Sequence, residues 1–423
     1  MDFVIKGDIA FSENKQKLHT IKNGYLVSVN GVSAGVFKTL PSCYHGLPLF
    51  DHSEKLVIPG MIDLHIHAPQ YAFRGTHMDE ELLDWLKKYT FPEEARYADE
   101  TYARKAYAIF AEKMKGSATT RASVFGTVHR KATGILMEEM EKTGLISYVG
   151  KINMDRDAPL SILDPSADMS AYNTFGWINE TAGKFKRTMP ILTPRFILSC
   201  SDALLGELKE IVHTYDIPIQ SHLSENPDEI KLVRERMPDS AFYGDAYDRF
   251  DLFGKGAKTI MAHCVYSTDE EAERIKENGV FIAHCPSSNM NLASGIAPIR
   301  KYLDKGMNVG LGSDVAAGES ESIFGEIKNA IAVSKLYYRL IDKNTKPLTF
   351  PEAFSLATLS GGAFFGKVGS FAEGFETDVI VLDDEKEPHP QPLSIEERLE
   401  RAVYLGMDKN RIIAKFVAGE KII

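Results

Sequence analysis

The sequence is short of cysteine, of basic charge and of long apolar runs, and each shortage removes a class of protein. Its four cysteines (Cys43, Cys200, Cys264 and Cys285) stand far apart in 423 residues and form no C-x-x-C pair. Neither a disulfide framework nor a cysteine zinc knuckle is indicated, and a reducing cytoplasm is the expected compartment. No stretch approaches the roughly 18–20 apolar residues of a membrane span. The opening residues, MDFVIKGDIAF, place charges where a secretory signal needs an apolar segment. A soluble protein with no membrane partner is expected. Lysine and arginine number 49 against 59 acidic residues, a net charge of −10. That argues against nucleic acid, which needs a cationic surface to displace its counterions, and a small neutral molecule fits better. Low-complexity tracts, fixed-period repeats and long linkers are also missing.

What is present is ample apolar material, 44% of the chain, enough for one large domain and a smaller one. Residues 1–58 read as short strands, and YLVSVNGVSAGVF predicts a hairpin with Asn30-Gly31 in a type I′ turn. The segment 366–423 has the same strand-and-glycine character, so the two ends are expected to pair into one small β domain around a different middle, 59–365. There, strand-like runs recur: MIDLHIH (61–67), TTRASVFG (119–126), LISYVGKINM (145–154), MPILTPRFILS (189–199), IPIQSHLSE (217–225), TIMAHCVY (259–266), VFIAHCPSSN (280–289) and NVGLGSDV (308–315). Amphipathic helical stretches such as DALLGELKEIVHTY separate them. Alternation of this kind predicts an α/β fold with a parallel sheet, and about eight strands would close a TIM-like (β/α)₈ barrel. The segment 158–173 reads as a loop that could lie over an active site.

In such a barrel the reactive groups sit at the C-terminal ends of the strands. The runs end on His65 and His67, on His222 and Glu225, on His263 and on Asp314. Side chains two apart on a strand share a face, so His65 and His67 can serve one ion. Imidazoles with one carboxylate suit a zinc-type ion with a position left open for water, and His65, His67, His222 and Asp314 form that set. H-x-H alone is a weak signal, because a strand histidine is more often structural. The weight comes from four strand ends carrying such groups beside turn-like sequence. Glu225 can reach a water at the metal without binding the metal, as general acid and base, the alternative being helix capping within SENPDE. Asp63 lies deeper in its strand, where a buried hydrogen-bonding role is expected, and His284 is expected to be structural.

Over nearly the whole chain these motifs resemble the amidohydrolase superfamily. The shared elements are PGMIDLHIH, QSHLSE, MAHC, AHCPSSNMNLASG and GLGSDVAAG, while HIHAPQYAF, LLDWLKKYTFPEEARYAD, TPRFILSCSDALLGEL and VYLGMDKNRI are similar to the members that deaminate guanine. The resemblance implies a (β/α)₈ barrel with a β-sandwich-like domain built from both chain ends, one zinc ion per subunit and a homodimer. It also implies hydrolysis of a purine base, guanine, to xanthine and ammonia in purine catabolism or salvage. It makes His65, His67, His222 and Asp314 the zinc ligands, Asp314 also an acceptor of the water proton, and Glu225 the proton shuttle. His263 would hydrogen-bond the water or the developing oxyanion, and Gln70, Arg195 and Phe196 would bind the base. Ser313 stands where members more often carry Thr, a change expected to leave the chemistry intact. MPILTPRFILS offers no lysine to bridge a second metal, so one ion is expected. The H-x-E and P-C-x-x-C signature of the zinc nucleobase deaminases of another fold is missing. The nearest rival is another deaminase of the superfamily, acting on an oxidised guanine, a pterin, a triazine or an adenosine derivative. The other is a non-catalytic barrel, which the complete ligand set disfavours.

Overall fold

Apolar residues near the N-terminus build β1 (Phe3–Asn14), which pairs antiparallel with β2 (Lys17–Val29); β2 turns back into β3 (Val32–Phe37). The computed structural model describes residues 2–423. The turn is Asn30-Gly31, with φ of 53° and 78°, the positive pair that a type I′ hairpin requires. β4 (Leu49–Pro59) lies parallel to β1 on its other side. The chain then leaves this sheet through Gly60, where a Cβ would meet the Thr120 side chain at 2.2 Å. Only glycine permits so close a pass.

Four parallel strands follow in the order β5 (Met61–His67), β6 (Thr119–Phe125), β7 (Ile146–Gly150) and β9 (Thr188–Pro190), while the short β8 (Ile152–Asn153) pairs with β10 (Thr193–Pro194). A second parallel sheet runs in chain order through β11 (Ile219–Leu223), β12 (Thr259–His263), β13 (Phe281–His284) and β14 (Asn308–Leu311). Helices separate these strands, among them Glu100–Gly116, Arg130–Thr143 and Asp202–Tyr215. The alternation makes the fold α/β with parallel sheets, as expected from the sequence. Backbone hydrogen bonds join the two sheets at both seams. Gln220 donates to the Leu192 carbonyl at 2.9 Å, and on the far side Asp314 donates to His65 at 2.8 Å and His67 to Val315 at 3.2 Å. Among the described residues no helix is long and apolar enough to cross a membrane.

β15 (Val379–Leu382), β16 (Ile412–Val417) and β17 (Glu420–Lys421) return to the first sheet, whose seven strands run β17-β16-β15-β4-β1-β2-β3. The two chain ends therefore share one sheet. Phe3, Ile5, Leu26, Val57, Val379 and Phe416 pack into a core of their own. Two buried basic side chains tie this sheet to the α/β part of the chain. Arg121 on β6 forks onto Asp378 at 2.7 and 3.1 Å and reaches Glu376 at 2.8 Å. Lys415 on β16 donates to the carbonyls of Met114, Lys115 and Ser117 at 3.4, 3.0 and 2.9 Å, at the C-terminal end of the Glu100–Gly116 helix. An apolar isostere would leave those carbonyls without a donor, so Lys415→Met should cost about 2–3 kcal/mol, read as a lower urea midpoint with activity per folded molecule unchanged.

Most runs form strands shorter than their sequence-based extents, and three segments differ for a local reason. The run at 189–199 is strand only at β9 and β10 and then turns into a short 3₁₀ helix at Ile197–Ser199, because Pro190 and Pro194 cannot donate to a ladder. The run at 280–289 stops at His284, since Pro286 opens the Pro286–Asn291 helix. The supposed loop at 158–173 becomes helical from Ala167, capped by Ser166, which accepts from the Met169 amide at 3.2 Å. None of its residues lines the cavity described below.

Candidate active site

The residues singled out at the strand ends come together at one end of the parallel strands. His65 and His67 close β5, His222 lies on β11, His263 closes β12 and Asp314 follows β14. Non-glycine residues with left-handed backbone cluster here: Ser224 (φ 47°), His263 (74°), Cys264 (49°) and Asp314 (48°). Each such conformation costs of order 1–3 kcal/mol and persists only where the surroundings enforce it. Asp63, buried as expected, supplies part of that enforcement. Its carboxylate accepts from the Ser313 amide at 3.0 Å, the Ser313 hydroxyl at 2.6 Å and the His65 amide at 3.1 Å. The hydroxyl at position 313 thus braces the segments that carry His65 and Asp314, and serine suffices for it.

Four donor atoms converge. His65 Nε2 and His67 Nε2 are 3.2 Å apart, His67 Nε2 and His222 Nε2 3.3 Å, and Asp314 Oδ1 lies 3.1 Å from His65 Nε2 and 3.3 Å from His67 Nε2. Donors held at about 2.0–2.1 Å by one ion stand about 3–3.5 Å apart, so the spacing fits a zinc-type ion. Protonation fits too. Burial pushes the His65 and His222 imidazoles down and takes His67 to about 4, which leaves them neutral with lone pairs to give. Burial works against the Asp314 carboxylate, but the imidazoles beside it, His65 foremost, hold it well below its ordinary range. The Nδ1–H of His222 donates to the Arg195 carbonyl at 2.5 Å, fixing the tautomer that turns Nε2 inward. The Cys285 sulfur lies within reach of His263 and Asp314, but burial pushes its thiol well up, so it is a poor ligand.

Glu225 and His263 face each other beside this cluster, His263 Nε2 lying 3.4 Å from Glu225 Oε2 and 3.8 Å from Asp314 Oδ2. His263 Nδ1 is taken by Asn289 Oδ1 at 2.9 Å. The Ser294 hydroxyl donates to Glu225 at 3.2 Å. Burial, with Asp314 nearby, pushes the Glu225 carboxyl up to about 8. The capping alternative for SENPDE is resolved by a different residue. Glu229 forms the capping box with Asn226 and accepts from the Glu225 amide at 3.2 Å, which frees the Glu225 side chain. His284 is buried, with neither ring nitrogen partnered by protein.

A cavity adjoins the cluster, lined by His67, His222, Glu225, His263 and Asp314 on one side and by Gln70, Arg195, Phe196, Trp85 and Leu86 on the other. Sequence reasoning missed the residue that organises its far wall. Glu94, 2% exposed, accepts from Gln70 Nε2 at 3.0 Å and from Arg195 Nη2 at 3.0 Å, with Arg195 Nη1 on its other oxygen. Ala316 N donates to Gln70 Oε1 at 3.3 Å. Glu94 sits in FPEEA, a helix away from every strand end, so a search of strand ends passes over it. Asn289 and Ser294 were within reach of that search, in the AHCPSSNMNLASG motif after β13.

The Amidohydrolase family model matches residues 56–422. The guanine deaminase of Mus musculus is 38% identical over 379 residues, covering 86% of this chain and 82% of that one. The guanine deaminase of Escherichia coli is 34% identical over 381 residues, covering 88% and 84%. A crystal structure of guanine deaminase from C. acetobutylicum with bound guanine in the active site superposes with a TM-score of 0.97 at 43% identity, over all of both chains.

Proposed function

We infer the reaction from a fact now established, that the chain belongs to the amidohydrolase family. The protein hydrolyses guanine to xanthine and ammonia. One observation carries this: the converging donors and Glu225 share a cavity with Gln70, Arg195 and Phe196, so a hydrolytic centre faces a wall made to read a flat polar ring. The hydrogen bonds at both seams support closure of the two parallel sheets into a (β/α)₈ barrel (59–365), and the shared seven-stranded sheet supports a β domain from 1–58 and 366–423.

His65, His67, His222 and Asp314 would hold a zinc ion, which supplies a water acidic enough to give hydroxide near neutral pH. Asp314 turns Oδ1 toward the imidazoles, leaving Oδ2 to take the water proton. As the water oxygen bonds to C2 of guanine, Glu225 protonates the ring nitrogen beside it, and His263, its Nδ1–H held by Asn289 Oδ1, accepts from the attacking water through Nε2. Glu225 then passes the hydroxyl proton of the adduct to the amino nitrogen, the C2–N bond breaks as C2=O forms and ammonia departs, and the proton on Asp314 restores Glu225. Gln70 and Arg195 hydrogen-bond the carbonyl edge that adenine lacks, and Phe196 covers a ring face.

Ammonia release by the zinc-loaded protein is expected with guanine, at a kcat/KM at least about 10²-fold above adenine, since buried polar groups left unpaired reject an analogue strongly. Pterins and triazines in the same panel test the related-heterocycle reading. Release from none of them would overturn the assignment.

A further inference from the structure

Glu94 touches no reacting atom in the mechanism above, yet it is buried and holds both polar residues of the far wall. It accepts from Gln70 Nε2 and takes both terminal nitrogens of Arg195 on its two oxygens. Two consequences follow from donor and acceptor counting. An amide side chain can present either its oxygen or its nitrogen on a given side, and the Gln70 amide is locked, with its nitrogen on Glu94 and its oxygen toward the Ala316 N–H. The ring edge therefore meets a fixed pattern. Arg195 is the one Lys or Arg side chain lining the cavity among the described residues, and the other titratable lining residues are the carboxyl groups of Glu225, Glu229 and Asp314 and the histidines. With Glu94 on its fork, Arg195 keeps donors for a carbonyl while its charge is answered from behind.

We propose that Glu94 is the specificity-determining positioning residue of this site: it fixes the reading edge of Gln70 and cancels the charge of Arg195, so the cavity takes an uncharged ring bearing a carbonyl and rejects an anion in the same place. The proposal rests on the guanine reading for its ligand class, and it also explains how one arginine can serve a neutral base without attracting carboxylates.

The test uses the zinc-loaded enzyme, guanine as substrate and purine-6-carboxylate as probe, the latter placing a carboxylate where guanine has its carbonyl. Glu94→Gln should lower kcat/KM for guanine about 10²-fold, with circular dichroism and metal content unchanged. It should also bind purine-6-carboxylate at least about 10-fold more tightly than the unsubstituted enzyme in calorimetry, a gain that a merely structural role would not produce. Glu94→Asp keeps the charge and shortens the reach, so it should lose guanine turnover while still rejecting the carboxylate. An unchanged kcat/KM in Glu94→Gln, or equal carboxylate affinity in the two proteins, overturns the proposal. If Glu94→Gln does not fold, Glu94→Asp decides, and tighter carboxylate binding or unaltered guanine turnover there overturns it. Failure of the unsubstituted enzyme to deaminate guanine is a separate result, which sinks the functional reading while the calorimetric comparison still decides the role of Glu94.

Discussion

Glu225→Gln should give a folded protein that retains its ion and loses turnover of guanine by about 10²–10⁴-fold, the range for a positioned proton-transfer group. The carboxyl is buried, faces His263 at 3.4 Å and accepts from Ser294 at 3.2 Å. Glutamine keeps the shape and the acceptor but cannot give and recover a proton. The stability side has a definite sign. A carboxyl pushed up to about 8 by burial, then by Asp314, holds its proton in the folded state above the pH at which the unfolded chain releases it. In the ion-free protein its contribution to stability is therefore fully present below the unfolded value near 4.5 and is lost as pH rises through about 8. The amide carries no such loss, so ion-free Glu225→Gln should melt no lower than the parent at pH 8. Full turnover in the variant would remove Glu225 from the mechanism. A collapsed melting temperature with lost ion would make its role structural.

The histidines were legible because a strand has a period of two: the spacing of His65 and His67 fixes a shared face before any fold is known. His222, His263 and Asp314 were legible because the ends of parallel strands gather at one edge of the sheet. Glu225 was recognisable as a candidate but not separable from a helix cap, since both roles want a carboxylate just past a strand. Glu229, four residues on, decides it by occupying the cap. Glu94 lay inside LLDWLKKYTFPEEARYAD, a motif similar to that of the guanine-deaminating members, but no local pattern gave it a role. It arrives behind the cavity wall from a short helix between β5 and β6, and no periodicity reports a long-range fork onto Arg195. The left-handed backbone at His263 and Asp314 was equally hidden, because no glycine marks either position. The extents of β9, β10 and β13 failed for a simpler reason: apolar runs continue through Pro190, Pro194 and Pro286, and the missing amide protons outweigh the apolar character.

The donor set itself yields the sharpest separation between neighbouring histidines. His67→Ala should abolish retention of the ion, whereas His263→Asn should keep one ion per chain and lose rate. Three triads meet the distances, and with the Cys285 thiol pushed well up by burial two compete: His65 with His67 and Asp314, and His65 with His222 and His263. The contacts distinguish them. His67 Nε2 sits 3.2–3.3 Å from His65, His222 and Asp314, the spacing of donors around one ion. His263 Nε2 stands 3.4 and 3.8 Å from two carboxylates, a place for a hydrogen-bonding group. Without a cation, three buried imidazole nitrogens would point their lone pairs at one another, so the ion should also stabilise the fold. A ligand bound only by the folded state contributes about 2.7 kcal/mol at a hundredfold excess over its Kd. Adding zinc to stripped protein should therefore raise the thermal midpoint of the parent and of His263→Asn, and leave His67→Ala unmoved. Metal content measured by mass spectrometry checks the same claim without reference to turnover. Loss of the ion from His263→Asn together with its retention in His67→Ala would mean that His65, His222 and His263 hold the metal, and that His67 lines the cavity in some other role.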